Sequence, residues 1–402
     1  MRVACVQLAA YDLAQAEAAL ARALAMIDEA AAGKADLIVL PECAYPAYFL
    51  GGREDYARAK LRPWDEIAAL FGGKAREHRC HIVLGVVQPA PGDAGLWNAG
   101  VLFGPSGQAL GATAKSFLWH FDRHWFSPGT QYPVFDTPLG RLGILICADG
   151  RMPEIARSLA VQGAQVIVDA TAWVTGGGER QTLTSPQSDY MIPTRALENG
   201  VWFVAASRVG LEAGSILYCG RSGVIDPWGK HVAMASTDRE EVVFCDIDPA
   251  QAPGVPVARR PEVYGTLIVP VEQLPVTRLL GEAVVPEAAS VRVAALQLAG
   301  GRTMAGHLRR VEELVDALAR QDTGLIVLPE TVPMACEEDA ASTAAAEACF
   351  AQLTQRLGCG LAATLVEHAN GTRYRTCTVW DAGRAVARYR KVHPEAGFSA
   401  GD

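Results

Sequence analysis

The sequence predicts a layered α/β fold made twice, the second time only in part. Three observations predict it. Short β-branched runs alternate with longer Ala-rich runs from the first residues, the opening pattern returns near residue 291, and the returning pattern stops before it is complete. A chain of 402 residues is also more than one ordinary hydrophobic core holds.

Residues 3–8 read as the first strand and 14–32 as a helix with apolar positions near a 3.6-residue period, ended by Gly33 as its C′ residue. The next strand is 37–40. Further strands are expected at 81–87, 97–103, 142–147, 166–169, 201–207 and 222–225, and helices at 63–78, 152–162 and 185–199. Asp226-Pro227-Trp228-Gly229 is a turn, and 241–248 closes a domain spanning residues 1–248. From 249 to 290 proline recurs at 249, 253, 256, 261, 270, 275 and 286, which marks a connector.

Residues 291–402 then repeat the beginning. Val293-Ala-Ala-Leu-Gln297-Leu echoes Val3-Ala-Cys-Val-Gln7-Leu, and LIVLPE occurs identically at 37–42 and 325–330. The run into Lys391 matches the run into Lys115, and Phe398-Ser-Ala-Gly401 matches Phe126-Ser-Pro-Gly129. Four matches in one order mean an internal duplication, because chance repeats do not keep order. The second copy stops before any counterpart of Cys147, so it is half a domain with no nucleophile. A half-sandwich bares an apolar sheet face that must be covered. Cys336 and Cys359 are expected in its core.

Composition removes several function classes. Lys plus Arg is 36 against 44 Asp plus Glu, a net charge of −8, which argues against nucleic acid as a partner. No run approaches the ~18 apolar residues of a membrane span, and the first apolar run is too short for a secretory segment. Ten scattered cysteines without a C-x-x-C pair suggest neither a zinc framework nor a disulfide scaffold, so buried thiols in the cytoplasm are expected, with no metal and no cofactor.

Three places combine reactive side chains with suitable local structure. Glu42 ends a buried strand where Pro41 turns the chain out of the sheet; the alternative is a solvated acid. Cys147 ends the strand 142–147 just before a helix near Met152-Pro153-Glu154. Nearby N–H groups and a helix N-terminus would lower its pKa from about 8.5; the alternative is a packed strand cysteine. Lys115 ends an apolar run after Pro105-Ser-Gly107, where a surface charge is the alternative.

Together these residues resemble the nitrilase superfamily of carbon–nitrogen hydrolases. The resemblance rests on Leu40-Pro41-Glu42, Lys115 and Gly143-Ile-Leu-Ile-Cys147-Ala-Asp149-Gly-Arg151-Met-Pro-Glu154. Arg195-Ala-Leu-Glu198-Asn199, Ala205-Ala-Ser-Arg208 and Ser222-Gly-Val-Ile-Asp226-Pro-Trp-Gly229 support it. It covers residues 1–248 and implies an α-β-β-α sandwich followed by a partial repeat of the same sandwich. It also implies Glu42 as general base, Lys115 as transition-state stabiliser and Cys147 as nucleophile.

Asp122 stands where the family often has a second glutamate, with its carboxylate withdrawn by about one methylene. Trp173 is similar to the family's pocket-lining aromatic. Ala148, whose N–H follows the nucleophile, Trp119 and His120 beside Asp122, and Arg180 in a glycine-rich loop complete the expected substrate pocket. Cys147-Ala148-Asp149 is closer to the amidase and carbamoylase branches than to the Cys-Trp-Glu of true nitrilases.

The implied function is hydrolysis of a non-peptide C–N bond, in a small amide or N-carbamoyl compound, through a Cys thioester with release of ammonia. Nitrile hydrolysis, acyl transfer by the same cysteine, and a degenerate binding protein are the alternatives. A small-molecule amide-type substrate and a homo-oligomer are the expected partners.

Overall fold

The computed structural model describes residues 1–93, 95–175, 183–255, 258–282, 290–298, 303–330 and 339–401. The chain forms two compact units, Met1–Ala258 and Arg259–Asp402. The division falls inside the proline-rich segment. Residues 249–258 go with the first unit, and the segment beyond carries short 3-10 turns and a helix, Pro275–Glu282, in the second.

In the first unit β1 (Arg2–Ala9) is apolar at nearly every position because both of its faces are covered. Val3 and Cys5 pack toward a second sheet, whereas Ala4, Val6 and Leu8 pack on helices α1 (Ala16–Ala32) and, after the short α2 (Arg53–Arg58), α3 (Trp64–His78). Between α1 and α2 lies β2 (Leu37–Val39). It is followed in space by β3 (His81–Pro89), β4 (Leu96–Phe103) and β5 (Ala109–Ala114).

The chain then passes through the single turn α4 (Asp122–Trp125) into another sheet. There it forms β6 (Val134–Thr137), β7 (Gly140–Ile146), β8 (Val166–Ala170) and β9 (Trp202–Ala206). Helices α5 (Pro153–Val161) and α6 (Ile192–Asn199) cover its outer face. The chain returns to the first sheet as β10 (Arg208–Glu212) and β11 (Ile216–Cys219), and to the second as β12 (Gly223–Ile225) and β13 (His231–Met234). It closes on β1 with β14 (Glu241–Asp246).

The first sheet runs β11-β10-β1-β2-β3-β4-β5, with β14 antiparallel to β1 along Arg2–Gln7 and β10 parallel to it at Leu8–Ala9. The second runs β13-β12-β9-β8-β7-β6. Val3, Cys5, Leu37, Val39, Val83 and Leu102 share one buried cluster with strands of the second sheet, so the layers are helix, sheet, sheet, helix. This is the α-β-β-α sandwich.

Two local expectations change. Gly33 is the C-cap of α1 with φ −75°, and the left-handed residue is Lys34 at φ 61°. Gly33 lies against the Phe244 ring, whose edge would be 2.4 Å from an added Cβ and would have to move. The helix expected over 185–199 is α6 preceded by a wide π turn, Gln187–Met191. Pro193 has no N–H to give the carbonyl of Asp189, which removes a regular α-helical bond at that point.

The second unit adds, after helix α7 (Pro275–Glu282), β15 (Arg292–Ala295), α8 (Met304–Ala319), β16 (Thr323–Val327), α9 (Ala340–Leu357), β17 (Gly360–Ala369), β18 (Thr372–Asp381) and β19 (Arg384–Arg390). Its sheet order, β15-β16-β17-β18-β19, repeats β1 to β5, and the register repeats too: Val3 lies opposite Leu37 and Val293 opposite Leu325. Ile326, Leu361 and Trp380 are buried in one cluster with residues of α8 and α9, and Cys359 is buried with them. On the other face Val293 is 56% exposed and Val327 36%, where Val3 and Val39 are fully buried. Cys336 lies outside the described residues. Among the described residues no helix is long and apolar enough to cross a membrane.

Gly85 is where the first sheet can least tolerate change, since a Cβ there would lie 2.1 Å from the Pro41 carbonyl oxygen and 2.7 Å from the Glu42 Cα. Both are backbone atoms and cannot rotate away. Gly85→Ala is expected to cost about 1–3 kcal/mol in urea unfolding. Gly73→Ala, inside α3 with nothing within 4 Å of the added carbon, should instead stabilise by roughly 0.5–1 kcal/mol. Equal shifts for the two would remove the steric argument.

Candidate active site

The site lies where strands of both sheets end. Beyond β2, Leu40 still bonds to β3, and Pro41 then turns the chain so that Glu42 gives its N–H to the Thr171 carbonyl at 3.2 Å, across to the second sheet's side. Its carbonyl accepts from Arg208 Nε at 3.1 Å, and Arg208 Nη2 also donates to the Cys43 carbonyl. Arg208 is 3.7 Å from Glu212, whose carboxylate accepts the N–H groups of Tyr48 and Phe49 and the Tyr218 hydroxyl. A buried ion pair therefore fixes the backbone on which Glu42 sits.

Lys115 follows β5 by one residue and is paired in backbone register with Asn98, its N–H reaching the Asn98 carbonyl at 2.8 Å. Its side chain is completely buried. The ammonium lies 2.7 Å from Glu42 Oε1 and 2.6 Å from Asp122 Oδ2, and 5.6 Å from the centre of the Tyr48 ring. Asn98 Nδ2 donates to the same Glu42 oxygen at 2.6 Å. Asp122 opens α4, and its Oδ2 accepts the Trp119 N–H at 3.0 Å. The shorter aspartate thus reaches the lysine directly. Glu42 Oε2 and Asp122 Oδ1 are buried with no hydrogen-bond partner.

Cys147 follows β7 immediately and has φ 48°, a left-handed backbone rare for a residue with a side chain. Asp169 Oδ1 accepts its N–H at 2.8 Å, and its carbonyl accepts from Gln187 Nε2 at 2.8 Å. Both ends of the peptide are therefore held by buried side chains. The turn 147–151 also carries Asp149. Its Oδ1 accepts the N–H groups of Ser116 and Phe117 at 3.1 and 2.8 Å, and its Oδ2 accepts that of Ile146 at 3.1 Å.

Burial governs the electrostatics. It pushes the Glu42 carboxyl above its ordinary value; the Lys115 charge opposes the rise and Asp122 adds to it. For Lys115 burial works against the charge, yet Glu42, Cys147 and Asp122 outweigh it and hold the ammonium well above the usual lysine range. Cys147 is pushed up by burial and then by Glu42, with Lys115 pulling the other way. This overturns the expectation of a thiol lowered by a helix N-terminus: α5 begins only at Pro153, and Cys147 is 7% exposed. Burial thus holds both this thiol and the neighbouring Glu42 carboxyl toward their protonated forms.

Of the remaining expected residues, Ala148 is buried beside Cys147, and Trp173 is 1% exposed with its indole N–H unpartnered. Trp119 is half-buried under the Arg151 guanidinium, 5.2 Å from the ring centre. His120 is exposed between Trp119 and Phe121. Arg180 lies outside the described residues. Sequence reasoning missed Asn98, Tyr48, Asp169, Gln187 and Glu212 as parts of the site. The available signal was a polar residue interrupting an apolar strand, as Asn98 and Asp169 do.

In the second unit Lys391 Nζ lies 2.5 Å from Glu330 Oε1, the counterpart of the Lys115–Glu42 pair. There the two side chains are 36% and 54% exposed, against 0% for both in the first unit.

Comparison with known proteins agrees with both the sandwich and its repeat. The family model for carbon–nitrogen hydrolases matches residues 2–256 and again 292–399. A nitrilase of Pyrococcus abyssi is 35% identical over 225 residues, covering 56% of this chain and 80% of its own length. An omega-amidase of Bos taurus is 33% identical over 241 residues, covering 57% of this chain and 82% of its own. Among solved structures, the amidase of Nesterenkonia sp. AN1 superposes with a TM-score of 0.57 at 25% identity, covering 67% of this chain and 100% of that one. A variant of that amidase has been solved after Michael addition of acrylamide at its active-site cysteine, with a TM-score of 0.56 at 24% identity, 67% of this chain and 100% of that one. The match runs through both units, and by it the chain belongs to the carbon–nitrogen hydrolase family, within the nitrilase superfamily of enzymes.

Proposed function

We propose that the first unit hydrolyses a small amide or N-carbamoyl compound, with Cys147 as nucleophile, Glu42 as general base and Lys115 as the charge that stabilises the transition state. The observation that carries this reading is the fully buried set of Glu42, Lys115 and Asp122 at the strand ends where Cys147 leaves the second sheet. An amide carbonyl is a poor electrophile and a neutral thiol a poor nucleophile, so proton removal has to accompany attack.

Glu42 takes the Sγ proton as the S–C bond forms, and the negative charge on the substrate oxygen falls to Lys115 and the Ala148 N–H. The proton passes to the departing nitrogen and ammonia leaves a thioester. Glu42 then accepts a proton from water as its oxygen adds to the thioester carbon. Collapse releases the acid and returns the proton to sulfur. Glu42 Oε2 and Asp122 Oδ1, buried acceptors without a donor, suit the two N–H groups of a primary amide; a nitrile has no N–H to give.

Ammonia release from small amides, carbamoyl amino acids and nitriles tests the reading. Cys147→Ala should abolish release with an unchanged circular-dichroism spectrum, and Lys115→Ala should lower it by at least roughly a hundredfold. Added hydroxylamine should divert the acyl group to a hydroxamate. Release surviving in Cys147→Ala would sink the thioester, and silence in the wild type would favour a binding protein.

The pH profile has a fixed sign. Glu42 is a base only when ionised, and burial raises its folded value, so kcat/KM should fall as pH drops through a limb above the ordinary 4.5. Asp122 adds to that rise, so Asp122→Asn should move the limb to lower pH. A limb at or below 4.5 in the wild type would remove Glu42 from the role.

A further inference from the structure

From the hydrogen bonds of the turn at Cys147 we infer that Asp149 is a positioning residue, which holds the Lys115 segment and the Cys147 turn in one register across the two sheets. This rests on the proposed roles of Lys115 and Cys147. Lys115 belongs to the first sheet and Cys147 to the second, and no covalent feature between strands fixes their separation. The Asp149 carboxylate does so from a rigid base. Its own carbonyl accepts the Met152 N–H at 3.0 Å, and it is two residues from Cys147 in a tight turn.

One of its oxygens accepts the N–H of Ile146, the residue before Cys147, and the other accepts those of Ser116 and Phe117, the residues after Lys115. The Ser116 hydroxyl in turn bonds to the Tyr132 hydroxyl. All of these partners are donors, so only a group that accepts on both oxygens can serve them. Asn has nearly the same shape but turns an NH2 toward one set of N–H groups, and so must release either Ile146 or Ser116 and Phe117. Released, the Lys115 segment keeps its pairing with Asn98 and Gly129 but loses its tie to the cysteine turn.

The test is Asp149→Asn in the full chain, read by iodoacetamide alkylation located by peptide mass spectrometry, and by kcat and KM. The expected result is at least tenfold slower alkylation of Cys147 at pH 7, with its pH profile displaced upward because the lysine no longer assists sulfur. kcat should fall at least tenfold while KM stays within threefold. Alkylation that is unchanged, or faster because the turn has merely loosened, with the wild-type pH profile, would overturn the assignment. Should Asp149→Asn fail to fold, Tyr132→Phe removes the hydroxyl that braces Ser116 next to this carboxylate and should slow Cys147 alkylation two- to fivefold; no change would count against the proposal. The two readings fail separately. Ammonia release that survives Cys147→Ala sinks the proposed nucleophile, whereas release that depends on Cys147 while kcat and alkylation are unaffected by Asp149→Asn sinks only the positioning role.

Discussion

An ammonium with no exposed surface is the feature around which the first unit is arranged. Moving a lysine charge out of water costs several kcal/mol, and it is tolerable only where opposite charge and hydrogen bonds meet it at close range. Lys115 meets two carboxylates, Glu42 and Asp122, at 2.7 and 2.6 Å, leaving a local excess of negative charge and two unpaired acceptor oxygens. Burial, reinforced by that excess, pushes the neighbouring thiol and the Glu42 carboxyl up. The surrounding buried groups, Asn98, Arg208 and Glu212, fix the backbone and the oxygens that the lysine depends on.

The second unit supplies an internal control. The same hexapeptide leads to Glu330, and the same strand order leads to Lys391, which meets it at 2.5 Å. Yet that pair is solvent-exposed, and water screens what the first unit concentrates. The difference comes from the layer opposite. In the first unit, strands β6 to β9 roof the sheet and bring Cys147; the second unit has no such layer among its described residues, and Val293 and Val327 stand open. Ion-pair geometry is encoded by the first half of the domain, and its chemical strength by the second.

Much of this was legible in the sequence because the central strands are buried on both faces and read as unbroken apolar runs, each ending at a reactive residue. Glu42 and Cys147 were found that way, Lys115 at the end of the half-exposed outer strand β5, and Asp122 through the family resemblance. Strands β10 and β11, beyond β1, were not found. Arg208-Val-Gly-Leu-Glu212 reads as a polar loop because the partners that neutralise its charges, the Glu42 and Cys43 carbonyls and the Tyr48 and Phe49 N–H groups, lie more than 150 positions away. Asp169 was passed over for the same reason: an acid inside a strand makes sense only once the Cys147 N–H is seen against it. The thiol's pKa was misread because local sequence shows a nearby helix start but not the depth of burial.

That burial has a consequence beyond turnover. Peroxide and similar oxidants attack the thiolate, and oxidation past the sulfenic stage destroys a cysteine enzyme. A thiol pushed toward its protonated form by burial and by a neighbouring carboxyl offers oxidants less thiolate to react with. The left-handed turn that carries Cys147 lies inside that shielded pocket. The burial that sets the protonation of this sulfur therefore also limits its exposure to oxidants.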